Sequence, residues 1–202
     1  MGFFDRNRKA LAARGIDPAR LPAGQYTTDR FPVLHVGDVP AFGDLSGWSL
    51  RIFGLVEREV TLSWADLQAL PHVNETVDIH CVTKWSKFDT EWTGVRLADV
   101  LALAAPLPGA AALMQHAEYG YTSNVPLADA LRPGSLLADG YDGRPLDPRH
   151  GYPARTFIPH LYLWKSVKWV RSLEVLADDA PGFWERNGYH MYGDPFLEQR
   201  FS

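Results

Sequence analysis

Cys81 is the only cysteine of the chain, in the run Val77-Asp78-Ile79-His80-Cys81-Val82-Thr83-Lys84-Trp85-Ser86. A single sulfur forms no internal disulfide and builds no multi-thiolate zinc or iron–sulfur site. Three chemistries remain: a packed core thiol, a nucleophile, or the one protein thiolate on a metal whose other ligands come from an organic cofactor. On a strand, Val77, Ile79 and Cys81 share one face while Thr76, Asp78 and His80 share the other. This stripe makes Cys81 a small core hydrophobe in the plain reading, and it sets His80 apart from Cys81 as a metal pair. Residues 82–86 read as a loop leaving the sheet. A thiol at such a junction is reachable by a ligand, and Lys84 beside it favours the thiolate.

Two further segments carry charge in suggestive patterns. Residues 143–155 form a Pro- and Gly-punctuated loop with Arg144, Arg149, His150 and Arg155. Arginine forks and loop N–H groups suit a phosphate; the plain alternative is a solvated loop whose arginines pair with aspartates. In residues 164–171, strand alternation places Lys165, Val167 and Trp169 on one face and Ser166, Lys168 and Val170 on the other. Its lysines either hold an anion or cover apolar surface with their stems. His35, His116, His160 and His190 are scattered, and each by itself suits a hydrogen-bonded structural role. No metalloprotease, serine-hydrolase, Walker or dinucleotide motif is present. One Cys and seven His allow a Cys–His hydrolase in principle, with nothing to position the partner.

The elements that must position these groups are mostly short. Residues 3–14 read as an amphipathic helix stopped by Gly15, and residues 16–31 as an extended arm. Strands are expected at 33–36, 48–54, 59–62, 75–81, 112–116, 121–125, 136–138, 155–158 and 165–176. Ser63-Trp64-Ala65-Asp66 resembles a capping box opening a helix to Leu70, and a second helix runs from Leu97 to Ala104. The tail from Pro181 is aromatic but aperiodic. Strands without strict βαβ alternation indicate an α+β fold with a mixed β-sheet body. The expected organisation is an N-terminal helix and arm over residues 1–44, a body over 45–180, and an aromatic tail over 181–202 wrapping that body.

With 202 residues, 46% apolar and 22% charged, the composition is that of a globular protein. A net charge of -4 argues against nucleic acid or a membrane surface as partner. No segment reads as a signal peptide or membrane span, which with the single thiol indicates a cytoplasmic protein. Seven Trp, ten Phe and eight Tyr supply a rigid core without long elements.

In their order along the chain, these segments resemble the molybdopterin-binding domain of the sulfite oxidase family. Residues 80–86 resemble the segment of the molybdenum-ligating cysteine, 91–101 the Trp-x-Gly-x-x-Leu helix, and 119–127 the block after it. Residues 143–159 resemble the pterin-binding loop with its strand, and 166–169 the closing pterin segment. The resemblance implies a molybdenum–molybdopterin cofactor, with Cys81 as metal ligand and Lys84 polarising the transferred oxygen. It also implies that His35, His150, Arg155, Ser166, Val167 and Lys168 contact the pterin or its phosphate, the last segment through backbone N–H groups and the lysine.

The family's sulfite-binding arginines are replaced here by Trp85 and Ser86, and its active-site tyrosine falls near Asp139, with Tyr141 two residues away. The pattern is closer to the bacterial branch of the methionine-sulfoxide reductase catalytic subunit. The resemblance therefore implies oxygen-atom transfer on a small molecule, a sulfoxide or N-oxide first, with an external electron donor or acceptor protein. The alternatives are a non-catalytic binding module of the same fold and a sulfite-oxidising enzyme with a divergent anion site.

Overall fold

The computed structural model describes the backbone of residues 3–202 and the side chains of residue 7 and residues 9–202. The chain opens with α1 (Phe3–Ala13), closed by Gly15 in the left-handed region that glycine adopts without strain. The arm then crosses the body and contributes β1 (Tyr26–Thr27). Arg20 clamps it there, donating to both carboxylate oxygens of Asp78 at 2.9 and 2.7 Å.

Next come β2 (Ser49–Gly54), β3 (Val60–Ser63), α2 (Trp64–Ala69), β4 (His72–His80), β5 (Trp85–Arg96) and α3 (Leu97–Ala102). After these lie β6 (Ala112–Ala117), β7 (Thr122–Pro126), α4 (Leu127–Ala130), β8 (Leu136–Tyr141) and β9 (Arg144–Pro145). The chain finishes with β10 (Arg155–Phe157), β11 (Val170–Leu176) and α5 (Phe183–Arg186). The capping box at α2 is formed: Ser63 Oγ accepts from Asp66 N, and the Asp66 carboxylate accepts from Ser63 N. Such a cap stabilises by about 1 kcal/mol.

Two sheets carry the fold. One has the order β3-β2-β11-β6-β7, with β11 parallel to β2 and antiparallel to β6. Its alternation is clean: Leu50 and Ile52 are fully buried while Arg51 between them is exposed. The other sheet runs β1-β5-β8-β10, with β4 on β5 and β9 on β8. A main core of aliphatic residues from the first sheet, α3 and the 154–170 segment fills the centre. A second, more aromatic core gathers Ile79, Cys81, Trp85, Trp92 and Phe157 under the second sheet. The α+β class and mixed sheets expected from the sequence are what the structure has.

Three local expectations fail. Residues 82–86 do not leave the sheet. Cys81 to Lys84 is a tight turn, with Lys84 N donating to Cys81 O at 3.0 Å and Cys81 N to Trp85 O at 2.9 Å. The chain then returns as the twelve-residue β5, whose polar run and bulged pairing between Val77 and Ile79 hide its alternation. Residues 33–36 form no strand and stay mostly exposed. Residues 165–169 are irregular: a 3-10 turn covers Leu163–Lys165, and Trp169 sits at φ 54, so β11 begins only at Val170. The tail is irregular apart from α5.

Candidate active site

Cys81 stands one residue past the end of β4, at the first position of the tight turn. The arm passes directly beside it. Tyr26 N donates to Lys84 O at 2.8 Å, Gln25 Nε2 donates to Cys81 O at 3.1 Å, and β1 runs parallel to the start of β5. The turn is thus pinned on both sides. Cys81 is only 7% exposed, yet it lines a cavity of about 330 Å³ rather than sitting in a closed core. Thr83 Oγ1 lies 3.1 Å from its sulfur. Burial pushes the Cys81 thiol up; the Thr83 hydrogen bonds and the charge of Lys168 pull it back towards the thiolate.

The opposite wall is cationic. Arg155, at the start of β10, is fully buried and donates only to carbonyls: His150 O at 3.0 Å, Ser166 O at 2.8 Å and Thr156 O at 3.4 Å. Its guanidinium lies 5.3 Å over the Trp92 ring, and burial brings its pKa down to about 10. Lys168 donates to Leu34 O at 2.8 Å and Arg149 O at 2.7 Å, tying the arm to the 143–155 loop. Burial, then the neighbouring Arg155, bring Lys168 down to about 7. Among the described residues no carboxylate pairs with either cation at ion-pair distance. Partly desolvated positive charges without counter-charge are costly, and their sum favours an anion at this wall.

The sequence-expected residues divide into three groups. Cys81, Arg155, Ser166, Lys168 and His35 line the one cavity. His35, exposed at its rim, bonds Gly37 O through Nδ1 at 2.9 Å and meets Trp169 edge-on at 5.6 Å. His150 lies behind the wall, its ring stacked on Phe31 at 3.9 Å; burial, then Lys168 and Arg155, bring it down to about 4. Val167 is fully buried in the main core, its N–H donating to Thr156 Oγ1 at 2.7 Å. The Ser166 N–H donates to Leu163 O at 3.1 Å. Lys84 is exposed at the turn, with φ 74, outside the cavity lining.

The cavity also contains residues that pattern reasoning passed over. Phe31 and Leu34 come from the arm, Thr83 and Trp85 from the turn, Tyr121 from the edge of β7, and Trp184 and Tyr189 from the tail. The density of aromatics in residues 183–201 was the available signal.

The donor set suits a phosphate-bearing organic cofactor. A soft sulfur ligand faces two cations across an aromatic-walled cavity. Trp85 Nε1, a buried donor on the cavity lining, has no hydrogen-bond partner among the described residues, so an acceptor atom of a ligand is welcome there; His150 Nδ1, behind the wall, is likewise unpartnered. His80 points away from the sulfur, bonding Ser86 Oγ through Nδ1 at 2.8 Å. Among the described residues no group of three or more His, Cys, Asp or Glu could hold a metal, so a metal here takes most of its ligands from elsewhere. No helix in them is long and apolar enough to cross a membrane.

A model for the oxidoreductase molybdopterin binding domain matches residues 36–184. The chain is 49% identical over 183 residues to the uncharacterized oxidoreductase YuiH of Bacillus subtilis (strain 168), covering 91% of this chain and 92% of that protein. It is 28% identical to the sulfite oxidase of Arabidopsis thaliana, over 87% of this chain and 54% of that protein. It is 27% identical to the protein-methionine-sulfoxide reductase catalytic subunit MsrP of Campylobacter jejuni, over 72% of this chain and 54% of that one. The chain thus spans about half the length of these last two relatives. The sulfane dehydrogenase SoxCD from Paracoccus pantotrophus shares the fold, with a TM-score of 0.63 at 23% identity, over 73% of this chain and 42% of that one.

Proposed function

The chain belongs to the oxidoreductase molybdopterin-binding-domain family, of sulfite oxidase type, and on that footing we propose that it transfers an oxygen atom from a small neutral sulfoxide or N-oxide, with Cys81 as the protein's ligand to molybdenum. Its relatives are enzymes, and molybdopterin is the cofactor that the domain binds. The observation that carries the reading is one cavity joining the lone thiol to two cations without carboxylate partners, from segments 74 and 87 residues further along (155 − 81 and 168 − 81).

Bound in such a site, the molybdenum cofactor supplies two-electron oxygen-atom transfer. The chain's own residues do the rest. The tight turn and Gln25 hold the Cys81 sulfur in place, and Thr83 offers it a hydrogen bond that steadies the thiolate. Arg155 and Lys168 receive the anionic end of the cofactor. Ser166 orients Arg155 through its carbonyl, and Val167 fixes the segment by its bond to Thr156. His150, neutral at pH 7, offers a ring nitrogen, and His35 closes the rim. Lys84 faces solvent, so the cationic role near the sulfur falls to Lys168. The phenyl and indole walls exclude water and favour a neutral substrate.

Sulfite oxidation with a divergent anion site is the second reading, supported by the similarity to a sulfite oxidase over 87% of this chain. The single thiol suits a reducing, cytoplasmic setting, with an external protein exchanging electrons. The test is expression in a host that makes the cofactor. We expect about one molybdenum and one pterin per chain, with reduction of dimethyl sulfoxide or trimethylamine N-oxide by an artificial donor exceeding sulfite oxidation. Well-folded protein that stays free of metal would support a binding module; faster sulfite turnover would reverse the direction.

A further inference from the structure

The outer wall of the cavity comes from the C-terminal segment, most of which lies beyond the family match that ends at residue 184. Trp184 and Tyr189 line the cavity together with Trp164 and Cys81. The Tyr189 ring lies 4.8 Å from that of Trp184 and meets Trp164 edge-on at 5.2 Å. Tyr189 N donates to Trp184 O at 3.0 Å, so the two side chains share one closed turn.

This wall is braced from behind. Glu185 is buried and accepts from Lys165 Nζ at 2.6 Å and from Trp164 Nε1 at 2.8 Å. Phe201 packs on Tyr189 at 5.2 Å. A Cβ at Gly182 would stand 2.7 Å from Ser123 Cα, and one at Gly193 2.7 Å from the Trp164 ring, so the segment seats flush on the body. Rings held this way are preorganised for a ligand rather than free to collapse.

The polar capacity of the wall is unevenly spent. Tyr121 donates its hydroxyl to Trp164 O at 3.1 Å, Trp164 gives its Nε1–H to Glu185, and Trp169 gives its own to Pro148 O at 2.8 Å. The Tyr189 hydroxyl has no hydrogen-bond partner among the described residues. Tyr189 lines the same cavity as Cys81, and burial pushes its phenol up, so the hydroxyl keeps its proton.

We propose that Trp184 and Tyr189 set the substrate specificity of this enzyme: the Tyr189 hydroxyl donates a hydrogen bond to the oxygen of a sulfoxide, while the Trp184 and Trp164 rings hold its apolar substituents. The inference rests on the reading of Cys81 and its cavity as an oxygen-transfer site, and it narrows the substrate class to neutral sulfoxides with apolar or aromatic groups. Sulfoxide oxygen is a strong acceptor, and in the tail's part of the wall the Tyr189 hydroxyl is an uncommitted donor flanked by aromatic surface.

The test uses cofactor-loaded wild type, Tyr189→Phe, Trp184→Phe and Trp184→Ala. Steady-state reduction of methyl phenyl sulfoxide and dimethyl sulfoxide is measured beside equilibrium binding of methyl phenyl sulfone, followed by tryptophan fluorescence. Tyr189→Phe keeps the ring and removes the donor. It should raise KM for both sulfoxides and Kd for the sulfone about tenfold, the loss of one hydrogen bond. Molybdenum content and the thiolate-to-metal absorption should not move. Trp184→Ala should weaken methyl phenyl sulfoxide more than dimethyl sulfoxide, and Trp184→Phe should restore most of the difference. Wild-type constants in Tyr189→Phe and Trp184→Ala, or losses that only track metal content, would overturn the inference while leaving the proposed function standing. Molybdenum-loaded wild type that neither binds nor reduces a sulfoxide would overturn the substrate reading and this inference together.

Discussion

Cys81 satisfies its plain reading and its chemical one at once. Its neighbours Ile79 and Trp85 are core residues, yet its sulfur faces the cavity. Alternation along β4 identified its face but not the cavity beyond it, because the opposite wall comes from Arg155 and Lys168, far along the chain. Cys81→Ser should keep the fold and abolish both turnover and the thiolate-to-metal absorption, read by circular dichroism and visible spectroscopy. At Lys168 the sign of the pH effect follows from the direction of its shift. Its pKa of about 7 lies below the usual lysine value, so the charged form is penalised in the cofactor-free protein. An anion beside it restores that charge, so binding takes up a proton above pH 7. Cofactor affinity should therefore weaken as pH rises from 7 to 9, and Lys168→Met should bind more weakly with a flatter profile. Reconstitution of cofactor-free protein across that range checks this. The exposure of Lys84 was not readable from sequence, since proximity along the chain says nothing of which way a left-handed residue in a tight turn points.

Elements were legible where pattern and packing agree. The α2 capping box and the β2–β3 pair stand where residue types put them. β5 was hidden because Lys87 to Glu91 breaks its alternation, and residues 165–169 were misread because Trp169 turns left-handed. The tail gave no periodicity because it is seated by specific pairs. The main one is Lys165 with Glu185, both fully buried side chains 2.6 Å apart. Removing one partner of a buried pair leaves an uncompensated charge and costs about 3–5 kcal/mol. Glu185→Ala should lose that much in urea unfolding, and Glu185→Gln less, because an amide oxygen still accepts from Trp164. Equal stability of both variants with wild type would remove the pair from its bracing role.

At the scale of the molecule, the arm, two sheets, the 143–155 loop and the tail meet at one cavity, and two histidines are kept neutral to make this possible. Burial brings both His80 and His150 down to about 4. A depressed histidine pKa means that the unfolded chain binds more protons between pH 4 and 6.5, so stability falls as pH drops through that window. The fully developed effect at His80 is about 3 kcal/mol. Unfolding curves from pH 7 to pH 4 should show the loss, and His80→Gln should reduce its slope. Cofactor binding should raise the melting temperature in proportion to the logarithm of its concentration.

The placement of molybdenum on the one protein thiolate is most directly read by molybdenum K-edge X-ray absorption on loaded wild type and Cys81→Ser. Ligation by Cys81 predicts one fewer sulfur around the metal in the serine variant. The same number of sulfur neighbours in both proteins would contradict it.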